Sequence, residues 1–550
     1  MNLRLLAAVA SATALPLGAC RAEESFAATD VHLWVGEGTN RMVLVLDWND
    51  GRPGASKAWG YRWDGPATNL ATILSRVARE DPRLSVFLSD DGVRGLAYDA
   101  DDDGGVFDPA SSTRTDEDDF FAVDGWILRH GESGTRFADI VWASESADPA
   151  LFRPANGDWI LLRRGEGAPA EPVPAETPYG FEVVASDVAP GAYGNVEAAL
   201  GRPATLNPGW DAFPATPIVP CSPAWEASAL VTLETASDED VGGSITIAFD
   251  HPVRDDPANP FGLDFIVFGN AFHTLGGSEF WTGTEDPATV RFASAALAAE
   301  PGLVEVSQDG ETWFAFSEGP WADGFAPTIS HLYDTNAPDA SLFGDYPVTN
   351  RWWGGLADAT KPIDPSLSSA DFLGRSLAEC VRLYNGSAGG TGFDISGFEL
   401  PTDARGLKWI RFVRITTCEP GDETEIDAVS DVAPAPALDN WVRAHFNAER
   451  VPDVRASDRC PNGRTALECA ARGLAPDEEA GAFGIASFSV EAGHPVLEAD
   501  LVEAPDLAWL ECAPAPTGPW TRVLPDWHGT SLWVPTNAPG SFFRLVLRHD

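Results

Sequence analysis

Gly242-Gly243-Ser244-Ile245-Thr246-Ile247-Ala248-Phe249-Asp250-His251-Pro252 leads into Gly262-Leu263-Asp264-Phe265-Ile266-Val267-Phe268-Gly269-Asn270-Ala271-Phe272. Two runs stand out, Ser244 to Phe249 and Phe265 to Phe268. Both are rich in Val, Ile and Phe and are bounded by Gly, Pro, Asn or Asp, which is the pattern of short strands. The same pattern recurs outward along the chain: Met42 to Trp48, Gly125 to Leu128, Trp159 to Leu162, Leu303 to Ser307 and Trp409 to Ile415. The expected fold class is mostly β and multidomain, because 550 residues are too many for one core.

Helical periodicity is clear in three places. Asn69 to Arg79 puts Leu70, Ile73, Leu74 and Val77 on one stripe. Leu438 to Asn447 does the same with Leu438, Trp441, Val442 and His445, and Thr465 to Arg472 is the third. Two stretches have the composition of linkers. Gly165 to Pro178 contains Ala168-Pro169-Ala170-Glu171-Pro172-Val173-Pro174, an extended stiff spacer, and Val432-Ala433-Pro434-Ala435-Pro436 is the other. These divide the chain into 27–165, 179–433, 437–480 and 484–550. In the first part a strand pair, one helix and a late strand after a Gly-Asp turn give the order of a β-grasp domain.

Acidic residues number 83 against 36 basic, a formal charge of -47, and lysine occurs only at Lys57, Lys361 and Lys408. A surface of that sign repels nucleic acid and anionic lipid head groups and suits cations. Hydrophobic content of 44% excludes a disordered chain.

The N-terminus reads Met1-Asn2-Leu3-Arg4, an apolar run from Leu5 to Leu17, and then Gly18-Ala19-Cys20. One early positive charge, a short apolar core and small residues describe an export signal over residues 1–19. The run is too short to span a bilayer as a mature helix. Leu17-Gly18-Ala19-Cys20 resembles a bacterial lipobox, which implies a diacylated Cys20. Arg21 behind it, in place of Asp, implies the outer membrane or cell surface. Six cysteines remain, an even number in an exported chain, suggesting up to three disulfides whose pairing sequence does not settle.

Further resemblances rest on longer blocks. Asp124-Gly125-Trp126-Ile127-Leu128 and Asn156-Gly157-Asp158-Trp159-Ile160 resemble the C-terminal β-grasp domain of transcobalamin-like proteins. The opening block, together with Glu300-Pro301-Gly302-Leu303-Val304-Glu305-Val306-Ser307, Phe393-Asp394-Ile395-Ser396 and Glu423-Thr424-Glu425-Ile426-Asp427-Ala428-Val429, resembles the core of Bacteroidetes-type cell-surface lipoproteins. That resemblance implies a jelly-roll sandwich over 179–433 and a TonB-dependent receptor, including cobalamin receptors, as partner. The chain departs from it in a long insertion, Phe316 to Gly390, and in Thr417-Cys418-Glu419-Pro420. Residues 437–480 resemble a short helical module of secreted proteins that usually carries an Asp-rich calcium loop. Here Ser457 to Gly463 lacks most of those ligands, and Cys460 and Cys469 are expected to form a disulfide in their place. Residues 484–550 read as a small β-module.

Candidate sites follow from donor spacing. Asp99-Ala100-Asp101-Asp102-Asp103-Gly104 places carboxylates at positions one, three and five before a glycine, the first half of an EF-hand-type loop. Asp99, Asp101, Asp103 and, in another loop geometry, Asp108 are the candidate Ca²⁺ ligands, against a solvated acidic turn. Asp264, Asn270, Glu300, Asp394, Glu423 and Asp427 flank strands in the sandwich and either hold a second metal or cap loop amides. Arg351, Trp352 and Trp353, before two glycines, form either a stacking platform for a flat ligand or a plug on the sandwich. No G-x-S-x-G elbow, H-E-x-x-H pair or P-loop occurs, and no histidines stand at metal-ligand spacing. The expectation is a non-catalytic surface lipoprotein that captures a ligand, cobalamin by resemblance, for an outer-membrane transporter. A carbohydrate-binding or adhesive protein is the alternative, and a hydrolase with paired carboxylates the second.

Overall fold

The computed structural model describes residues 25–89, 92–102, 119–131, 136–144, 152–209, 215–234, 243–277, 280–336, 351–418, 423–446, 454–472, 474–478, 485–491, 494–499, 508–517, 519–523, 526–528, 531–534 and 542–547. Cys20, Asp103 and Asp108 lie outside them. The fold is mostly β and multidomain. No described helix is long and apolar enough to cross a membrane.

In the first part the hairpin Asn40–Asp47 and Ser56–Trp63 is followed by the helix Leu70–Glu80. The helix starts where Asn69 accepts a hydrogen bond from the Thr72 N–H (2.8 Å), and its stripe of Leu70, Ile73, Leu74 and Val77 is buried. The late strand Trp159–Arg164 runs parallel to Asn40–Asp47, so the opening strand of the hairpin and the late strand are central neighbours, as in a β-grasp sheet. The Pro-rich spacer does not stand free. Val173–Pro174 pairs in parallel with Lys57 and Ala58, and the Ala170 N–H donates to Asp47 (3.0 Å). Pro174 is tolerated there because the strand lies off the main ladder.

The second part is a two-layer sandwich. One antiparallel sheet orders Glu182–Asp187, Ser244–Arg254, Trp409–Thr417, Gly302–Ser307 and Phe314–Ala315. The other orders Val231–Thr232, Glu425–Asp431, Phe265–Gly269 and Thr391–Phe393. Alternate residues Ile245, Ile247 and Phe249, Val304 and Val306, and Val413 and Ile415 point into one core with Phe265, Phe393 and Ile426. Phe265 stacks on its cross-strand partner Phe393 at 4.8 Å.

The insertion is structured rather than a loop. It contains the pair His331–Tyr333 and Trp353–Leu356 and the helix Leu377–Leu383, which Ser376 and Glu379 cap reciprocally. Its apolar residues join those of the first part in a single core cluster. The C-terminal pieces also merge: Trp441, Val442 and Leu467 of the helical module share a core with Leu510 and Leu532 of the β-module. Two separate units were expected there. Each is too small to bury enough apolar surface alone.

Cys460 and Cys469 are both thiols, so the expected disulfide between them is absent from the structure. Both are buried in the core of the helical module. Burial, with the neighbouring Cys469 thiol, pushes Cys460 up to about 11. What staples this short module is packing: Trp441 inserts and its indole N–H donates to the Leu474 carbonyl (2.7 Å).

Candidate functional site

The six candidate residues of the sandwich do not form one site. Asp264 and Asn270 bracket the strand Phe265–Gly269. A five-residue strand is about 17 Å long, so its two ends cannot share an ion. Asp264 and Asp394 lie at one pole with Asp255. Asn270, Glu300 and Glu423 lie at the other. Asp427 stands apart, buried, with both oxygens accepting from the Ala204 N–H (3.0 Å each); burial pushes its carboxyl up to about 8.

The Asn270 pole is built around Asp323, which sequence reasoning missed. Asp323 is 1% exposed and holds a positive φ of 51°. Its Oδ1 accepts from the Ala271 N–H (2.6 Å) and its Oδ2 from the Glu300 N–H (3.2 Å). Burial, against those two bonds and with Glu300 and Glu425 adding repulsion, pushes it up to about 7. Gly269 makes room for it: a Cβ there would meet Asp323 Oδ1 at 2.3 Å. The Asn270 amide donates to Glu425, whose other oxygen accepts from Thr232 Oγ1 (3.2 Å). Trp321 leaves the same loop with its side chain 37% exposed, because Ala322 pairs with Gly302 in both directions (3.1 and 2.9 Å). Glu300 and Glu423 are exposed at the same pole. The pole thus carries an exposed indole and two exposed carboxylates, while the Asn270 amide is engaged by Glu425. Trp321-Ala322-Asp323-Gly324 carried a readable signal, an acid between an aromatic and a glycine, but its contact with Glu300 is spatial.

Arg351, Trp352 and Trp353 do not make an open platform. Trp352 is 4% and Trp353 0% exposed. Trp353 meets Trp281 and Tyr333 edge to face at 6.2 and 6.3 Å, and only Arg351 is at the surface, over the Trp352 ring at 4.3 Å. Of the two readings the plug is the one the packing supports: both indoles belong to the core cluster that joins the insertion to the first part.

Of the four candidate calcium ligands, Asp99 and Asp101 come together, and Asp119 joins them with ligand oxygens within 4.8 Å of one another. Asp119 ends an acidic run and had no spacing rule to mark it. Asp102 between them takes a positive φ of 60°, and its N–H donates to Asp99 (2.7 Å). Arg405 of the sandwich donates to the Asp101 carbonyl (2.6 Å) and pairs with Asp256 (3.2 Å), so this cluster sits at the junction of the two parts.

The same junction holds a histidine between two carboxylates. The register of Ser244–Arg254 slips between Ala248 and Val253, and that bulge turns Asp250 and His251 toward the first part. His251 donates from Nδ1 to Asp250 (2.7 Å) and from Nε2 to Asp431 (2.8 Å). Asp250 also accepts from His32 (2.8 Å) and the Thr177 N–H (3.1 Å). Burial lowers the imidazole, but the two carboxylates outweigh it and hold it up at about 9. His251 itself is 3% exposed.

Compared with known proteins, the chain matches no family model and no curated protein.

Proposed function

We propose that this is a non-catalytic surface protein, tethered through Cys20 at the outer membrane or cell surface, that captures a polyhydroxylated ligand on the Asn270 pole of its sandwich. The observation that carries this reading is the exposed Trp321, next in sequence to the Ala322–Gly302 pairing, at the pole that also carries the exposed Glu300 and Glu423. A sugar ring presents an apolar C–H face to an indole and hydroxyls to carboxylates and amides. Loops on a rigid sandwich are where recognition concentrates. The acid of unusual ionisation at this pole, Asp323, has both oxygens committed to backbone N–H groups, which suits a support rather than a proton donor. Cobalamin, passed to a TonB-dependent receptor, is the second reading; it draws on the family resemblance of the sandwich blocks.

Calorimetric titration of the Cys20→Ser chain against a glycan panel and cobalamin tests both. Trp321→Ala is expected to weaken glycan binding by about 1–3 kcal/mol and to leave the unfolding midpoint unchanged. Undiminished binding by the variant defeats the Trp321 site. Cobalamin binding without glycan binding favours the second reading. Cys20→Ser itself should move the protein from the membrane fraction to the soluble one. A variant that still sediments with membranes rules out the lipid tether.

We also propose that Asp99, Asp101 and Asp119 hold Ca²⁺ with affinity in the extracellular range of roughly 0.1–1 mM. Chelation should then lower the melting temperature, and Asp101→Ala should reduce that response. Identical melting of the parent with chelator and with millimolar calcium counts against the site.

A further inference from the structure

At the opposite pole three chain segments converge. Asp255 follows the strand Ser244–Arg254, Asp264 precedes Phe265–Gly269, and Asp394 follows Thr391–Phe393. One carboxylate oxygen from each lies within 4.8 Å of the other two. Three like charges so close repel strongly unless a cation or protons intervene. Among the described residues no Arg or Lys forms an ion pair with them; the Lys408 ammonium, which bears on Asp255, donates instead to the Ser396 carbonyl.

Asn259 supplies an independent observation. Its Nδ2 donates to the Arg254 carbonyl (3.1 Å) and to Asp264 Oδ1 (3.0 Å), which fixes the amide's orientation. The amide oxygen on the other arm of the same planar group is buried without a partner, in a residue 5% exposed. Buried carbonyl oxygens are almost always paired, so this orphan, on the same amide whose nitrogen holds Asp264, lacks a donor or a cation. The triad is also held in place. Asp264 Oδ2 accepts from the Ile395 N–H (2.8 Å) and Asp394 Oδ1 from the Ser396 N–H (2.7 Å). Each anchored oxygen keeps a second lone pair.

We propose that Asp255, Asp264, Asp394 and the Asn259 amide oxygen form a Ca²⁺ site, completed by water. Oxygen-only donors, three charged and one neutral, suit a hard cation that tolerates irregular geometry. Asp394 is exposed and gives the ion a path from solvent, while Asp264 is sealed beneath it. The bound ion ties the three segments together next to Asp256, whose partner Arg405 reaches across to Asp101. The site is independent of the ligand-capture reading.

The test is calcium calorimetry on the full Cys20→Ser chain after chelator treatment, with unfolding midpoints measured in parallel. Asp394→Asn, a change at an exposed position, is expected to weaken one calcium-binding event by tenfold or more without lowering the midpoint of the calcium-free protein. Asn259→Asp, which charges the orphan oxygen but replaces the nitrogen that donates to Asp264 with a second acceptor, should lower the midpoint of the calcium-free protein and enlarge the calcium-induced rise. Asp101→Ala should leave the event intact. The proposal is overturned if Asp394→Asn and Asn259→Asp titrate like the parent, if the event disappears in Asp101→Ala instead, or if the parent takes up no calcium at millimolar concentration. Should Asp394→Asn fold poorly, Asp255→Asn gives the same reading from a half-buried position.

Discussion

Trp353→Ala is expected to cost about 3–5 kcal/mol of stability, the range for removing a fully buried large aromatic side chain. Trp353 lies at the start of the strand Trp353–Leu356, whose register partner for it is Tyr333. Its ring fills the space between Trp281 and Tyr333 with no exposed face. Alanine leaves a cavity bounded by rigid rings, which cannot collapse to fill it. The loss should appear in the transition that unfolds the first part with the insertion, because those residues share one core. A chain of several units need not unfold in one step, so the C-terminal transition, which belongs to a separate core, serves as an internal reference. Trp353→Phe should cost less, since a ring still fills part of the volume. Ligand affinity of the folded fraction should be unchanged. Lost affinity with an unmoved midpoint would restore the platform reading.

The strands of the sandwich were legible because burial on one face forces alternation. Phe265 to Phe268 and Trp409 to Ile415 appear in the structure within two residues of their expected ends. Helix Leu70–Glu80 was legible for the equivalent reason at the helical period. Leu377–Leu383 was not anticipated, although Ser376 and Glu379 carry the spacing of a capping box; seven residues are too few to show a stripe. The candidate sites were legible only as donor types. Asp264 and Asn270 are six positions apart in the same block, yet one strand carries them to opposite poles. Conversely, Glu300 and Asp323 meet across a loop that no spacing rule links. Trp352 and Trp353 illustrate a different limit. A glycine-flanked aromatic pair has the same composition whether it faces solvent or a second domain. Only the shared core of the insertion and the first part decides it. The proline-rich spacer was misread for a related reason: its extended backbone is also what an edge strand requires, and Ser56–Trp63 offered it an open edge.

Raising the pH from about 6 to 9.5 should remove about 3 kcal/mol of stability through His251, taking one pKa unit as 1.36 kcal/mol. The imidazole titrates near 6.5 when unperturbed and at about 9 in the fold. A group whose folded value is raised stabilises fully below its unfolded value. Its contribution declines from about 6.5 upward and is lost once pH passes about 9. Asp250 behaves oppositely. Burial works to raise it, but hydrogen bonds from His251 and His32 prevail and hold it below the usual carboxylate range. Its contribution is therefore present above its ordinary value of 3.8 and is lost as pH falls through more acidic values. The junction should be firmest between these limits, from about pH 5 to 6.5. Arg83 opposes the imidazolium, and half-buried Asp102, pushed up to about 7 by burial and by Asp431 and Asp99 against the pull of Arg83, lies close enough to feel the same charges. His251→Gln separates this relay from other titrations. It leaves Asp250 and Asp431 buried without their cation, which should cost about 3–5 kcal/mol near pH 6. Above pH 9.5 the parent has lost the same charge, so the difference between the two proteins should shrink there. The check is the denaturation midpoint of both proteins at intervals from pH 5.5 to 9.5. Parallel curves would mean that His251 is neutral in the fold and that some other contact holds the two parts together.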